Sequence, residues 1–540
     1  MTTGDETGVA IVDAELAGKA APLAERLAAD GAAGRLAAQD PALWGSDAEP
    51  EASIRLSWTT LHKSSRPLIG EIEALRAELR SEGVDRVVLA GMGGSSLAPE
   101  VITATTGVPL TVLDTTDPGQ VADALAGDLE RTVIVVSSKS GGTVETDSHR
   151  RIFAKAFADA GIDAARRIVV VTDPGSPFSE LAEKEGYRKT FLADPHVGGR
   201  YSALTAFGLV PAGLAGADVA RLLDQAAAVA DTLAADAPDN PAIQLAAAWG
   251  AAHEAGAEKV VLADTGSGIK GFPDWAEQLI AESTGKLGTG LLPVAVESTE
   301  APGFADHGSD ATAVAIGAPA GAAQISVTGP LGAQFLLWEY ATALVGRLLG
   351  INPFDQPDVE AAKKAARALL DDPEKLKGGE APATVDGAVE IFGSAGVSTE
   401  GKLADVLRAF FEAADAKGYL AVQAYLDRLD DASTSLLRGE IAKRTGRQTT
   451  FGWGPRFLHS TGQYHKGGHQ NGSFLQITGA VESDLAVPDR PYTLGQLQHA
   501  QALGDGQVLA EHGRPVLRLH LTDRAAGLAE LVRAVQEAGR

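Results

Sequence analysis

Two short loops in this chain have the composition of an anion cradle. The first is Gly91-Met-Gly-Gly-Ser-Ser-Leu-Ala-Pro99, and the second is Ser137-Ser-Lys-Ser-Gly-Gly-Thr-Val-Glu-Thr146. Glycine lets backbone N–H groups approach an anion, and serine and threonine hydroxyls add donors. Ser138, Ser140 and Thr143 are spaced to ring one phosphate monoester, with Lys139 either adding charge or standing in solvent. Ordinary strand-to-helix turns share this composition. A dinucleotide loop is a further possibility, because Gly91-Met-Gly93 opens a helix and Asp114 follows 114 − 91 = 23 residues on. That fingerprint needs Gly or Ala where Ser96 stands, and it leaves the second loop unexplained. Walker A and G-x-S-x-G patterns are absent here.

Other reactive side chains carry plainer readings as well. Glu282 and Lys286 are spaced i,i+4, which suits a surface ion pair. Arg200 follows Gly-Gly and could tie down a loop, while Lys363 and Lys364 could be a solvated helix face. His459, His465 and His469 invite a metal reading, since His465-Lys-Gly-Gly-His469 approaches zinc spacing. The intervening Gly-Gly argues for a loop, and the chain has no cysteine. No metal is expected.

These residues need a scaffold, and hydrophobic periodicity supplies one. Near-continuous apolar runs predict strands at Val87–Gly91, Leu110–Asp114, Thr132–Ser138, Arg167–Asp173 and Tyr187–Ala193, with helical segments between most of them. Such alternation predicts a doubly wound α/β domain, whose ligands bind beyond the carboxyl ends of the strands. Asp85-Arg-Val-Val-Leu-Ala90 recurs as Glu258-Lys-Val-Val-Leu-Ala263, and both copies lead into a Gly-rich turn. Further strands are expected at Ala311–Gly317, Gln324–Thr328, Phe474–Thr478 and Val516–His520. The expected division is a helical N-terminal extension (1–55), a first α/β domain (56–235), a second (236–522) and a C-terminal helix (523–540) capped by Asp523. The helix Leu222–Ala235 leads into the connection, and 370–400 reads as a surface insertion.

Composition narrows the function. The 540 residues carry 46 Lys+Arg against 71 Asp+Glu, a net charge of −25, which argues against nucleic acid as a partner. A small anion remains admissible if its site carries local positive ends. The absence of cysteine excludes disulfides and a thiol nucleophile. The acidic N-terminus lacks a signal-peptide pattern, and the most apolar stretch, Ala333–Gly350, contains Glu339 and Arg347. A soluble, cytoplasmic protein without a membrane partner is expected.

At Val197-Gly-Gly-Arg-Tyr-Ser-Ala-Leu-Thr-Ala-Phe-Gly208 the sequence resembles the Gly-Gly-Arg-[Phe/Tyr]-Ser signature of glucose-6-phosphate isomerases (phosphoglucose isomerases). Gly91–Pro99 and Ser138–Thr146 look like that family's sugar-phosphate loops. Trp275–Lys286 resembles its glutamate segment, Asn352–Lys363 its lysine segment and, less closely, Leu458–Gln463 its histidine segment. The resemblance implies two sugar-isomerase (SIS) domains, each a parallel sheet between helices. It implies reversible isomerisation of glucose 6-phosphate and fructose 6-phosphate, in glycolysis and gluconeogenesis, with no cofactor and a homodimeric assembly. By this resemblance Glu282 is the base, Arg200 stabilises the enediolate, and His459 and Lys363 assist ring opening. Gly94, Ser95, Ser138, Lys139, Ser140 and Thr143 hold the phosphate.

Three features depart from the family pattern. Gly142 stands where many relatives have a hydroxyl residue, and Asp358 replaces a common glycine. His459 follows Lys363, whereas the family usually has the reverse order. That order looks like an actinobacterial and cyanobacterial-type subgroup, some of whose members are fused to a transaldolase. No transaldolase-sized region precedes Gly91, so the isomerase part alone is expected. A sugar-phosphate sensor would need the two loops but not Glu282, Arg200, Lys363 and His459. A dinucleotide-dependent oxidoreductase would need a cofactor at Gly91–Ser96.

Overall fold

In the computed structural model, which describes residues 6–371 and 381–538, the apolar runs become strands of three separate sheets. In chain order the strands begin with β1 (Gly8–Ile11), followed by β2 (Arg86–Gly91), β3 (Thr111–Leu113), β4 (Thr132–Ser137), β5 (Ile168–Thr172) and β6 (Lys189–Leu192). The first sheet has the order β3-β2-β4-β5-β6, and every pairing in it is parallel. All six residues of β4 and all five of β5 are buried, as expected where helices cover both faces.

The next four strands are β7 (Lys259–Thr265), β8 (Leu292–Ala295), β9 (Ala311–Gly317) and β10 (Ile325–Thr328). They form a second sheet of order β1-β10-β9-β7-β8, parallel except that β1 runs antiparallel to β10. The N-terminal extension therefore contributes a strand as well as helices. Pro293 is accommodated because β8 is an edge strand. The recurring hexapeptide marks equivalent places: β2 lies between β3 and β4, and β7 between β8 and β9.

The region read as one domain, 236–522, carries a further sheet. Its strands are β11 (Thr384–Asp386), β12 (Val389–Gly393), β13 (Tyr419–Tyr425), β14 (Gln448–Trp453), β15 (Gly472–Gly479) and β16 (Val516–Leu521), in the order β11-β12-β16-β15-β13-β14. From β16 to β14 the pairings are parallel, and β11 and β12 add an antiparallel hairpin at the edge. The stretch expected to be a surface insertion is thus partly sheet. Residues 372–380 of it lie outside the described residues, while 384–393 complete the third sheet, because Val389 and Ile391 bury on its core face.

Packing joins the three layers. A large core under the first two sheets centres on Trp58, Trp249, Trp275 and Trp338, all nearly inaccessible. A second cluster mixes Val261, Leu292 and Ala313 with Tyr419, Tyr464 and Phe474, so the third sheet docks against the second. A third cluster seats Leu494, Leu497 and Ala500, on helix Leu494–Glu511, against the outer face of the first sheet. The segment carrying His459 is thereby held between both earlier sheets. The most apolar stretch forms the buried helix Leu331–Leu348. Among the described residues its Glu339 carboxyl has no hydrogen-bond partner, and burial pushes its pKa well above the ordinary value. Among the described residues no helix is long and apolar enough to cross a membrane. Asp523 caps the terminal helix Arg524–Ala538 by accepting the Ala526 amide at 2.9 Å.

Candidate active site

Both glycine-rich loops leave the carboxyl ends of adjacent strands, β2 and β4, in the first sheet. The second loop is organised by its own hydroxyls. Ser138 Oγ donates to Thr143 Oγ1 at 3.1 Å and accepts the Gly141 amide at 3.1 Å, while Ser140 Oγ accepts the Gly142 amide at 3.2 Å. Thr143 then leads into helix Val144–Asp159, whose free N-terminal N–H groups and dipole favour an anion there. Lys139 is turned away from this ring. Its Nζ donates to the carbonyls of Val197 (2.5 Å) and Pro195 (3.4 Å) and lies 3.7 Å from Asp173. It braces the strap that leads into Gly198-Gly-Arg200.

The first loop has a different task. A side chain at Gly94 would collide with the Gly199 carbonyl, and one at Gly93, where φ is +54°, would meet the His459 carbonyl. The two glycines let three backbones meet: the first loop, the Gly-Gly-Arg strap and the histidine turn. The dinucleotide reading fails at this point, because the Gly-x-Gly turn packs on protein rather than facing a pyrophosphate. Gly94 is buried against Gly199, Ser95 is half-buried, and neither lines the cleft that holds the second loop.

Helix Phe272–Thr284 presents Gln278 and Glu282 one turn apart. Gln278 Nε2 donates to Glu282 Oε2 (3.2 Å) and to the His459 carbonyl (2.8 Å). Arg200 Nη1 stands 3.6 Å from Glu282 Oε2, and both side chains are more than nine-tenths buried. The guanidinium is fixed on its remaining sides by Ser283 Oγ (2.9 Å), Gln356 Oε1 (3.2 Å) and the carbonyls of Pro353 (2.7 Å) and Asp355 (3.1 Å). Burial raises the Glu282 pKa, while Arg200 and His459 hold part of that rise back. A carboxylate raised in this way is a stronger base once ionised. The surface ion pair between Glu282 and Lys286 does not form. Lys286 is buried and binds the carbonyls of Asn352 (2.8 Å) and Asp355 (2.6 Å) and the Asp355 carboxylate (2.7 Å), pinning the turn that also grips Arg200. Burial depresses the Lys286 pKa to about 8.

His459 ends the short turn Arg456–His459 after β14. Its Nε2 lies 3.0 Å from Glu145 Oε1, which also accepts from Gln501 Nε2 at 2.7 Å. Glu145, 3% exposed, is thus an orienting partner for the imidazole, and it belongs to the same chain. The three histidines do not converge. His465 is buried with Nδ1 3.0 Å from Tyr419 Oη, and His469 contacts Glu258 at 2.8 Å. Lys363 lies on helix Glu360–Leu370 and pairs with Glu360 at 2.7 Å. Both partners are substantially exposed, so the pair is worth at most about 1 kcal/mol and yields readily to a ligand. Asp358 exchanges two hydrogen bonds with Gln463, at 3.0 and 2.6 Å, which ties the lysine segment to the histidine segment.

A cleft of about 250 Å³ collects Ser140, Thr143, Glu145, Lys363, His459 and Lys466. Arg200 and Glu282 do not line it, but Gln278 joins them to the histidine turn. Glu145, Gln278, Gln501 and Lys466 were not singled out from sequence. Gln278 and Glu145 did sit inside quoted segments, one turn before Glu282 and two residues after Thr143.

Comparison with known proteins places this geometry. Residues 69–313 match the family model for phosphoglucose isomerase. A probable glucose-6-phosphate isomerase of Haloarcula marismortui is 31% identical over 55% of this chain and 82% of its own length. The glucose-6-phosphate isomerase of a Cyanothece species is 30% identical over 56% of this chain and 68% of its own length. The crystal structure of a glucose-6-phosphate isomerase from Chlamydia trachomatis shares the fold with a TM-score of 0.50 at 21% identity, covering 57% of this chain and 73% of that one. With both loops, the buried glutamate–arginine pair and this overlap in agreement, the chain belongs to the phosphoglucose isomerase family.

Proposed function

We propose that this chain interconverts glucose 6-phosphate and fructose 6-phosphate through ring opening and an enediolate. The observation that carries the reading is the Glu282 carboxylate, raised by burial, with the Arg200 guanidinium 3.6 Å away. An aldose–ketose isomerase needs one base to remove a proton from one carbon and return it to the next. It also needs a fixed positive group for the charge that develops on the two oxygens. Glu282 takes the first role and Arg200 the second. Arg200 is spared reorganisation because four protein groups already hold it. A sugar arriving as a closed ring needs a proton moved between the ring oxygen and the anomeric hydroxyl. His459, oriented by Glu145, serves that step, and Lys363 can leave its exposed pair with Glu360 to assist. Ser138, Ser140 and Thr143 with the following helix N-terminus hold the phosphate. Every group in this reading comes from one chain, so it needs no residue from a second copy.

The test is a coupled assay in which the purified chain receives fructose 6-phosphate and glucose 6-phosphate is read out by its dehydrogenase. Wild type should turn over, and Glu282→Gln should lose at least about 10³-fold in kcat while still binding substrate. A well-folded wild type that gives no product would overturn the activity, and a Gln variant with wild-type turnover would remove Glu282 from the base role.

A further inference from the structure

A phosphate monoester carries close to two negative charges near neutrality, and a protein of net charge −25 must meet them locally. The phosphate loop does not provide its own cation, because Lys139 is committed to the Val197 and Pro195 carbonyls. The other cations around the loop are mostly spoken for. Lys466 is buried against Asp505 at 2.6 Å, and Lys363, loosely paired with Glu360, is assigned to ring opening. Arg150, Arg151 and Arg490 all converge on the Asp147 carboxylate at 2.7, 2.8 and 2.7 Å. Arg367 is the exception. It lies one turn beyond Lys363 on helix Glu360–Leu370, and among the described residues its guanidinium makes no hydrogen bond or ion pair.

Arg367 also stands in the right place. Two clefts, of about 570 and 250 Å³, flank the phosphate loop, and both are lined by Gly142 of the loop and by Arg367. At Gly142 the loop has no side chain, and a Cβ there would meet only Ser140 Oγ at 3.5 Å, so the cleft wall is open at that point. A guanidinium is the best match to phosphate, since its planar fork donates two parallel hydrogen bonds.

We propose that Arg367 is the cation of the phosphate site, closing over the sugar phosphate from helix Glu360–Leu370 where Gly142 offers no hydroxyl. This rests on the isomerase reading above. Substrate binding would then draw that helix toward the loop and bring Lys363, one turn earlier, to the same ligand.

The experiment compares Arg367→Ala and Arg367→Lys with wild type, measuring KM and kcat for fructose 6-phosphate and inhibition by inorganic phosphate. Arg367 is exposed on a helix, so both variants should fold, and equal melting temperatures would verify this. The alanine variant should raise KM and the phosphate inhibition constant together, by about tenfold or more, with kcat changed less than about twofold. Lysine should recover part of the loss, and added salt should narrow the gap between variants. Unchanged KM and phosphate inhibition, or a loss confined to kcat, would overturn the assignment while leaving the activity standing. Should wild type fail to turn over, the activity is what falls. Calorimetry with inorganic phosphate then decides the contact: weaker binding by Arg367→Ala supports it, and equal binding refutes it.

Discussion

The two halves of the candidate site are both assembled from distant segments, but different groups hold them. Glu282 and Arg200 lie inside the stretch shared with the family model, and Arg200 is gripped largely by backbone carbonyls and neighbours of Glu282 itself. His459 and Lys363 lie beyond that stretch, and side chains from distant segments place them. Glu145 and Gln501 hold the imidazole, and the Asp358–Gln463 exchange joins the two segments. The first half joins three separate segments, since Arg200 is held by Ser283 and by the Pro353–Gln356 turn, 83 and 153 to 156 positions along the chain. The second is an assembly of three sheets, in which the histidine turn is seated only because the third sheet packs on the second and a helix of that region packs on the first. Packing between sheets, rather than nearness in sequence, therefore sets where the helpers meet the Glu282–Arg200 pair.

The sharpest break in this comparison is His459→Ala. If the histidine serves ring opening alone, the variant should lose about 10²-fold or more in kcat/KM on closed-ring substrate, a smaller loss than Glu282→Gln. Glu145→Gln keeps the hydrogen bond but not the charge and should fall between His459→Ala and wild type. Its pH profile should shift even if its melting temperature does not, because Glu145 acts through the imidazole. Wild-type rates in His459→Ala would show that the second half is scaffold rather than machinery.

The legibility of the sequence follows the same divide. The inner strands of the first sheet are readable to within about two residues because double burial makes them rich in Val and Ile: Thr132–Ser138 was expected and Thr132–Ser137 is found. Ala311–Gly317 agrees at both ends. β1, only four residues long, was not legible, since its reason to be extended is a pairing with Ile325–Thr328 more than 300 residues away. β13 and β14 were also missed. Gln423 in β13 and Gln448 in β14 break the apolar run. One domain was expected where two sheets occur, because only distant pairing separates them. Among site residues, Glu282 and Arg200 could be named because each sits in a contiguous segment of its own, Trp275–Lys286 and Val197–Gly208. Lys139 was assigned to the phosphate as part of the loop motif, yet its side chain is captured by carbonyls 56 and 58 positions along the chain.

The junction between the halves can be probed through Glu277, next to Gln278 on the glutamate helix. It borders a cleft that also contains Arg428, Trp453 and Arg456 of the third region. Burial and the neighbouring Asp274 push its pKa up to about 8, and its carboxyl accepts the Ala295 amide at 3.3 Å. A carboxyl raised in the folded state stabilises the fold fully below its unfolded value of about 4.5. That contribution is lost as pH rises through about 8. Wild type should therefore lose melting temperature between pH 6 and 9. Glu277→Gln, neutral throughout, should lose a few degrees less over the same range. Parallel curves for the two proteins would mean that the junction does not bury this charge.

The smallest effect is expected where the two halves share one ligand. Gly142 belongs to the local loop, and Arg367 to the helix that follows the lysine segment. A side chain built at Gly142 would meet only Ser140 Oγ, at an ordinary 3.5 Å, so a serine fits without moving the loop. Its hydroxyl would add one donor to a phosphate already held by charge, and a hydrogen bond to a charged group is partly offset by the water it displaces. Gly142→Ser should lower KM by about two- to fivefold in the wild type and by more in the Arg367→Ala background, where the phosphate has lost its cation. Equal effects in the two backgrounds would show that loop and helix touch different parts of the ligand, and a KM that rises would show that Gly142 is needed for close backbone approach rather than as a gap. Coupling between the two substitutions is thus a direct measure of whether the loop and the helix grip the same phosphate.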